Sequence, residues 1–441
     1  MIQSREETVA IRRLRFESLR IRVRGGAEST QRDGSMQLAL RAALGSRLIV
    51  WVVGLAVIAI FSANFSEIAS NDPGFLTQPF HSVPLDKLVA PAARWDSAFY
   101  IAIAQHGYYS LQSSNFFPLY PILMSLVALV VGSPLIAGMI ISLVATIVGL
   151  GALYRLALLD LDEPAAKLTV LLVALFPASL FLSAVYTESL FLMLSVIAVY
   201  MARHERWALA GACGGLAAAT RSNGVLVLVP LVLLYLYGPR VATPARAGGA
   251  WWRPGFRVTW SAAWLLLVPA GVLAYMGYLA AAHGAPFAPF QAAEKYWGHS
   301  FTGPFGAVVV ALGKLPGDLH GLLGGSVRPV GPGDPISWNL HDLIDLGFVA
   351  LAVAAVAASW RRVPFAYLGY AIAMLAYAMS FPAKLEPLQS ISRYELVIFP
   401  LFMGVAAWLS GRRKLTLGVL GASGVLLAVF SGLWAYWAWV A

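Results

Sequence analysis

Apolar segments long enough to cross a bilayer recur along the whole chain, and this feature constrains the fold most strongly. A transmembrane helix needs about 20 mostly apolar residues to cross a hydrocarbon core of about 30 Å. Because lipid offers no hydrogen-bond partners, such segments are expected to satisfy their backbone groups internally, as α-helices. Only 12% of the 441 residues are charged, whereas soluble domains carry about 25%. The sequence therefore predicts an all-α, polytopic membrane protein.

The positions of the basic residues indicate how many of these segments cross. Cytoplasmic loops carry an excess of Lys and Arg. Every basic cluster lies on one side only if the short segment 117–131, which is bracketed by Pro118, Pro121 and Pro134, does not cross. We therefore expect eleven transmembrane helices, a cytoplasmic N-terminus, and 23 of the 31 Lys and Arg residues on the cytoplasmic side. The apolar segments lie at 48–63, 117–131, 134–154, 167–182, 188–203, 207–220, 225–238, 258–281, 340–359, 364–380, 396–410 and 415–438.

Charge and composition divide the chain into a tail and a transmembrane domain. Residues 1–47 contain ten Arg and no apolar core, which predicts a basic, partly disordered or interfacial cytoplasmic tail. The transmembrane domain is expected at 48–441, with long extracytoplasmic loops at 64–116 and 282–339. The net charge of +10 is explained by topology, so no nucleic acid is expected as a partner. The basic, Ala-rich composition is typical of a bacterial protein, which places it in the plasma (inner) membrane.

The strongest chemical signal lies in the stretch 94–109, in the first predicted outer loop. The carboxylate of Asp96 could act there as a general base toward a hydroxyl acceptor. Trp95 could stack on a sugar ring or anchor the loop at the lipid headgroups, and Arg94 could bind a phosphate. Asp96 also precedes a helix-like stretch, so its spacing alone favours helix N-capping, a role that does not exclude catalysis.

Further charged residues lie at the same predicted face. Glu188 and Tyr186 lie in an apolar hairpin tip, and an ionisable group there costs about 2.5–3.5 kcal/mol at a helix centre, so it usually faces a cavity. Arg221 breaks two apolar runs, and Arg393 and Tyr394 enter a span from outside. Each has a simpler explanation: Glu188 as a helix cap, and the arginines as anchors that reach the headgroups.

The sequence contains no signature of a metal or nucleotide site. The His residues form neither HxxxH nor HExxH, and no Walker or dinucleotide-binding glycine pattern occurs. No cofactor is predicted, and a divalent cation is left open. The glycines at 149–151 and 211–214 are better explained by close helix contacts. The single cysteine, Cys213, excludes an internal disulfide.

At four of these stretches the sequence resembles the PIG-V-type mannosyltransferases (GPI mannosyltransferase 2), which belong to the GT-C superfamily. The resemblance implies a GT-C fold whose long first outer loop carries juxtamembrane helices. It also implies a polyprenyl- or dolichyl-phosphate sugar donor and transfer of a hexose, mannose above all. The matching stretches lie at 95–108, 116–121, 177–189 and 220–224, with Arg393 and Tyr394 further along.

The resemblance also assigns roles to single residues. Asp96 corresponds to the catalytic acidic residue of the first outer loop and Glu188 to the second acidic position, in an inverting reaction. The motifs further suggest a substrate-binding set, in which the arginines would offset charge on the leaving phosphate. This set comprises Arg94, Trp95, His106, Tyr108, Tyr186, Arg221, Asn223, Arg393 and Tyr394.

Two other classes of protein are consistent with the same residues. A transporter or flippase of a lipid-linked or anionic substrate would need charges deep in its spans and access from both faces. A scaffold without chemistry would not need Asp96 at all. The clustering of the charged candidates at one face favours the enzyme. Membrane lipids are expected partners. The acceptor is expected to be a lipid or a glycan, and a protein acceptor is left open as well.

Overall fold

The structure is a computed structural model that describes residues 34–61, 71–72, 74–80, 82–243, 254–331 and 334–440. In these ranges all regular structure is helical apart from an isolated bridge between Pro329 and Ser337, so the all-α prediction is confirmed. The first α-helices in chain order are α1 Gly34–Ile60, α2 Val83–Val89, α3 Ser97–His106, α4 Leu119–Val131, α5 Pro134–Ala157, α6 Glu163–Leu175, α7 Glu188–Arg203 and α8 Trp207–Ala218. They are followed by α9 Leu228–Tyr237, α10 Leu267–His283, α11 Ala288–Trp297, α12 Gly306–Gly324, α13 Trp338–Ser359, α14 Phe365–Ala378, α15 Ile391–Leu396, α16 Phe399–Leu409 and α17 Arg413–Ala435.

Within the ranges that the structure describes, five helical segments are long and apolar enough to cross a membrane. Several shorter apolar helices accompany them, so the count of eleven spans stays a prediction. Helix α4 has 13 residues, which corresponds to a length of about 20 Å and falls short of a hydrocarbon core of about 30 Å. The five long segments are Gly34–Ile60, Pro134–Ala157, Trp260–His283, Trp338–Ser359 and Arg413–Ala435.

Helix α1 begins at Gly34, inside the range 1–47 that the sequence assigned to a tail. Its small residues form a buried face, and the Ala39 side chain is completely buried near Gly151 of α5. Arg47 is buried too, and its guanidinium donates to the carbonyl of Ser179 at 2.5 Å. The ten arginines of 1–47 made this range look polar, so the apolar face of α1, which packs against distant residues, was not predicted. Residues 1–33 lie outside the described residues.

Close contact between α5 and α7 sets the position of the segment that carries Glu188. A Cβ atom on Gly149 would lie 3.2 Å from the Met193 Cα atom, so the small residue allows the backbones to approach. Nearer the start of α5, the Ser142 hydroxyl donates to the Ala184 carbonyl at 2.8 Å, and the Thr146 hydroxyl donates to the Leu182 carbonyl at 2.6 Å. These bonds tie the turn before α7 to the helix beside it.

A second close contact, between α8 and α10, positions the segment that carries Arg221. A Cβ atom on Gly215 would lie 2.4 Å from the Leu267 carbonyl oxygen, and one on Gly271 would lie 2.1 Å from the Gly215 carbonyl oxygen. Only glycine fits at such a distance. Helix α8 thus ends against α10, and residue 221 follows three residues after its last turn.

Candidate active site

Four charged side chains from distant parts of the chain meet at one end of the helix bundle. The Arg393 Nε atom donates to the Glu188 carboxylate at 2.9 Å, and its Nη1 atom donates to the Asp96 carboxylate at 3.3 Å. Arg221 forms an ion pair with the same Glu188 oxygen at 3.1 Å. Two acids and two arginines therefore form one charge-balanced cluster.

Asp96 lies at the start of α3, but its side chain makes no capping hydrogen bond. The contrast is Asp162, which begins α6 and accepts from the Ala165 N–H group at 2.9 Å, as a helix cap does. The residue before Asp96, Trp95, has a left-handed φ of +51°, a strained conformation for a bulky side chain. This turn presents the Asp96 carboxylate to Arg393, and the structure therefore favours a role other than capping.

The surroundings of the Asp96 carboxylate are suited to a general base. Burial raises the pKa of Asp96 above its ordinary value, while the nearby Arg393 guanidinium lowers it and Glu188 raises it. A carboxylate with a raised pKa is a stronger general base than a solvated one. Its side chain also keeps 20% of its exposure, so a substrate can reach it.

Glu188 is the first residue of α7, and its side chain has no exposure at all. Both guanidinium groups bind it from the side of the site, through one carboxylate oxygen. Among the described residues it lines none of the three cavities around the site. The placement is that of a group that holds Arg221 and Arg393 in position.

The two arginines pack against different aromatic rings. Arg393 lies in the short helix α15, which follows Ser390 with a left-handed φ of +64°, and it packs over the rings of Phe181 and Tyr186. Burial alone would lower the pKa of Arg393, but the carboxylates of Glu188 and Asp96 outweigh it and raise the pKa. Arg221 packs 5.3 Å from the ring centroid of Tyr394.

A cavity of about 440 Å³ opens in front of the cluster. Asp96, Arg221, Arg393 and Tyr394 line it, so four of the residues predicted from the sequence share one space. Its size suits a small ligand, and its lining combines charged groups with aromatic rings, as is typical of binding sites.

The six remaining predicted residues divide into two groups of three. Tyr186 is buried behind the cluster, where its hydroxyl accepts from the Asp96 N–H group at 3.0 Å and donates to the Arg94 carbonyl at 3.3 Å. Trp95 lines a neighbouring cavity, and Tyr108 lines an apolar groove. These three residues therefore surround the charged cluster without belonging to it.

Three predicted residues lie away from the cavity. The Arg94 guanidinium is buried and donates to the carbonyls of Ala93 and Ala435 at 2.8 and 3.2 Å, so it fastens the first loop to the end of α17. His106 is exposed at the end of α3, and the Asn223 side chain is buried beyond the cavity wall.

Sequence reasoning missed several residues of the cavity wall. Trp297 and His299 come from the predicted outer loop 282–339, Tyr377 from α14, Gln389 from the turn before α15, and Trp439 from beyond α17. The aromatic residues of loop 282–339 were a usable signal, because Trp and Tyr are enriched where a membrane protein meets the lipid headgroups. Nothing local distinguishes Gln389 or Trp439 from their neighbours. In the described part of the chain, no group of three or more His, Cys, Asp or Glu side chains is arranged to hold a metal ion.

Comparison with known proteins supports the resemblance to PIG-V-type enzymes. Residues 37–236 match the family model "Mannosyltransferase (PIG-V)". The mouse GPI alpha-1,6-mannosyltransferase 2 is 28% identical over 213 residues, which are 44% of this chain and 42% of that protein. The human protein of the same name is 27% identical over 210 residues, 44% of this chain and 41% of that protein. The resemblance is thereby confirmed, although the match spans only about two fifths of these relatives' length.

Two further proteins are similar to parts of this chain. GPI mannosyltransferase 2 of Yarrowia lipolytica is 42% identical over 67 residues, 15% of this chain and 19% of that protein. The oligosaccharyltransferase AglB of Archaeoglobus fulgidus, solved with an inhibitory peptide and a dolichol-phosphate, covers 89% of this chain and 56% of its own, with 13% identity and a TM-score of 0.40. The matched family region contains Asp96, Glu188 and Arg221, whereas Arg393 lies outside it.

Proposed function

We propose that this chain, whose residues 37–236 match the PIG-V mannosyltransferase family, is a membrane glycosyltransferase. It moves a hexose, mannose, from a polyprenyl-phosphate donor to a hydroxyl acceptor. The observation that carries the proposal is the placement of Asp96, a partly accessible carboxylate that shares a cavity with Arg221 and Arg393. A base and two fixed cations are the groups that transfer from a phosphate leaving group needs.

The reaction follows from the roles of these groups. The acceptor hydroxyl gives its proton to Asp96 while its oxygen forms a bond to C1 of the sugar. The bond between C1 and the phosphate oxygen breaks on the opposite face, so the configuration at C1 inverts. The negative charge that develops on the departing lipid phosphate is stabilised by Arg221 and Arg393, whose positions are held by Glu188.

Donor binding has a further consequence for the base. Without substrate, Arg393 pairs with Asp96 at 3.3 Å. A phosphate that binds Arg393 competes for this guanidinium and weakens its pairing with the carboxylate. Because the arginine lowers the pKa of Asp96, binding of the donor makes Asp96 a stronger base.

An apolar groove offers a place for the donor's lipid chain. Its volume is about 890 Å³, and it runs between α3, α4, α8 and α10. Ala219, which lines the groove, is followed directly by Thr220 and Arg221, which line the charged cavity. A polyprenyl chain in the groove would thus place its phosphate beside Arg221.

The charge distribution does not favour a transporter or flippase. The ionisable groups of the site lie together at one end of the bundle. At the far end of α7, Arg203 is paired with Asp160 at 2.6 Å and packs on Tyr367, so this buried pair offers no open path for an anionic substrate.

A multi-pass location in a bacterial plasma membrane, with the site outside, stays a prediction. A reporter fused after residue 205 that reads as extracytoplasmic would contradict it.

The Asp96→Asn variant tests the proposal, because it keeps the shape of the side chain and removes the base. We expect a loss of at least about a hundredfold in transfer rate, the usual contribution of a general base. The assay uses radiolabelled polyprenyl-phosphate mannose and extracted membrane lipids. Asp162→Asn is the matched control, since Asp162 is a helix cap, and it should retain full transfer. Wild-type activity of the Asp96→Asn variant would refute the base role.

A further inference from the structure

A second cavity, of about 670 Å³, adjoins the charged one. We call it the aromatic chamber. Asp96, Trp297, Gln389 and Trp439 line both spaces, so the two cavities meet at the carboxylate. One cavity thus presents Asp96 together with two arginines, and the aromatic chamber presents the same carboxylate from a different direction.

The aromatic chamber differs from the charged cavity in its chemistry. Its wall combines aromatic rings with amide side chains, and among the lining residues that the structure describes there is no Lys, Arg or His. Its other acid, Asp72, is already bonded internally, to the N–H groups of Leu76 and Thr77 at 2.8 and 2.9 Å. Aromatic and amide residues line it as follows: Asn71, Trp95, Phe99, Tyr109, Gln112, Tyr296, Trp297, Trp338, Gln389 and Trp439.

The aromatic wall is held rigidly by contacts from distant parts of the chain. The rings of Trp95 and Trp439 meet edge to face with centroids 5.2 Å apart. The Trp439 indole N–H donates to Glu386 at 2.8 Å, and its backbone N–H donates to Asp334 at 3.1 Å. Trp439 therefore stands in one orientation beside Asp96.

We propose that the aromatic chamber binds a neutral sugar ring of the acceptor, with the reacting hydroxyl directed at Asp96. This inference rests on the proposed function. Aromatic faces offer apolar area and a rigid surface for the C–H face of a sugar, while Asn and Gln side chains both donate to and accept from hydroxyl groups. An anionic acceptor would meet the Asp96 carboxylate without any cation from the chamber wall to offset it.

The test measures binding of soluble sugars to the full chain in nanodiscs. The probes are methyl α-D-mannopyranoside and its uronic acid, which differ only in the charged carboxylate at C6. Saturation-transfer NMR titrations compare their affinities with polyprenyl phosphate present, so that Arg221 and Arg393 are already occupied. We expect the neutral glycoside to bind at least about tenfold more tightly, because the chamber wall offers no cation to the added carboxylate, which would lie close to that of Asp96.

Two variants direct the test to the chamber. Tyr109 is 54% exposed and Gln112 is half-buried, and both line the chamber without lining the charged cavity. Tyr109→Ala and Gln112→Ala should each weaken mannoside binding about fivefold, the effect of losing one aromatic or polar contact. The control is Trp260→Ala, since Trp260 is 95% exposed and lies outside these cavities.

The outcomes separate this inference from the proposed function. Equal binding of the neutral and anionic sugars, or a Trp260→Ala effect as large as that of Tyr109→Ala, overturns the chamber assignment. So does a loss of sn-glycerol 3-phosphate binding in Tyr109→Ala or Gln112→Ala, which would place a lipid headgroup in the chamber. Polyprenyl phosphate is titrated in the same variants, and its binding should be unchanged. Failure of wild type to bind polyprenyl phosphate would instead contradict the donor assignment, whatever the sugars do.

Discussion

The Glu188→Gln substitution removes the one negative charge that both arginines share, while keeping the size of the side chain. In the native protein Glu188 lies 2.9 Å from Arg393 and 3.1 Å from Arg221. After the change, Asp96 is the single carboxylate left against the two cations of the cluster. The cluster therefore carries an excess positive charge in a place that is largely shielded from water.

The structure sets the size of the expected effect. Removing one partner of a buried ion pair costs about 3–5 kcal/mol. The Arg221 side chain keeps 11% of its exposure at the cavity, so water partly compensates it, and we expect the lower end, about 3 kcal/mol. The second effect is electrostatic. Because Glu188 raises the pKa of Asp96, its removal lowers that pKa and weakens the base.

Two assays separate these effects. Thermal unfolding in nanodiscs, followed by tryptophan fluorescence at a fixed scan rate, should show a clear drop in the midpoint for Glu188→Gln. The double variant Glu188→Gln/Arg221→Gln restores charge balance, so its loss of stability should be smaller than the sum of the single losses. The acid limb of the pH–rate profile, which reports protonation of the base, should move to lower pH while the maximal rate falls.

Additive stability losses in the double variant would show that the Glu188 and Arg221 charges are not coupled. An unchanged midpoint together with an unchanged pH–rate profile would refute the positioning role of Glu188 altogether. A drop in rate with an unchanged acid limb and an unchanged midpoint would instead favour direct catalysis by Glu188.

Three further predictions follow from the structure. Arg221→Lys keeps the charge but loses the planar donor pair, so KM for polyprenyl-phosphate mannose should rise about tenfold with little change in unfolding midpoint; an unchanged KM would contradict phosphate binding there. Burial raises the pKa of Glu386 to about 7, so its stabilising contribution is complete at low pH and is lost as pH rises through 7; the unfolding midpoint should fall between pH 5 and pH 8, as a rough window around that pKa, and Glu386→Gln should flatten this fall. Gly215→Val places a Cβ atom 2.4 Å from the Leu267 carbonyl and should lower stability by about 1–3 kcal/mol, whereas Gly418→Val, where nothing lies within 4 Å, should be nearly silent in the same unfolding assay.

The sequence alone was sufficient for the features that depend on short stretches of chain. Apolar runs and low charge content predict membrane helices because the requirement to satisfy backbone hydrogen bonds in lipid acts within each segment. The motifs around Asp96, Glu188 and Arg221 were recognisable for the same reason, since each lies within a few residues. The glycines at 211–214 also indicated a close helix contact, and Gly211 does face the backbone of Trp264 in the structure.

Only the tertiary structure decided which partner each charged side chain has. Asp96 could cap α3 by its position, yet its carboxylate pairs with Arg393, 297 residues away. Arg94 looked like a phosphate ligand, yet its guanidinium binds the Ala435 carbonyl. Local sequence cannot rank these choices, because the partner arrives from another helix and the energy of a buried charge depends on that partner. For this protein the sequence determined which residues can do chemistry, and long-range packing determined which of them face the same space.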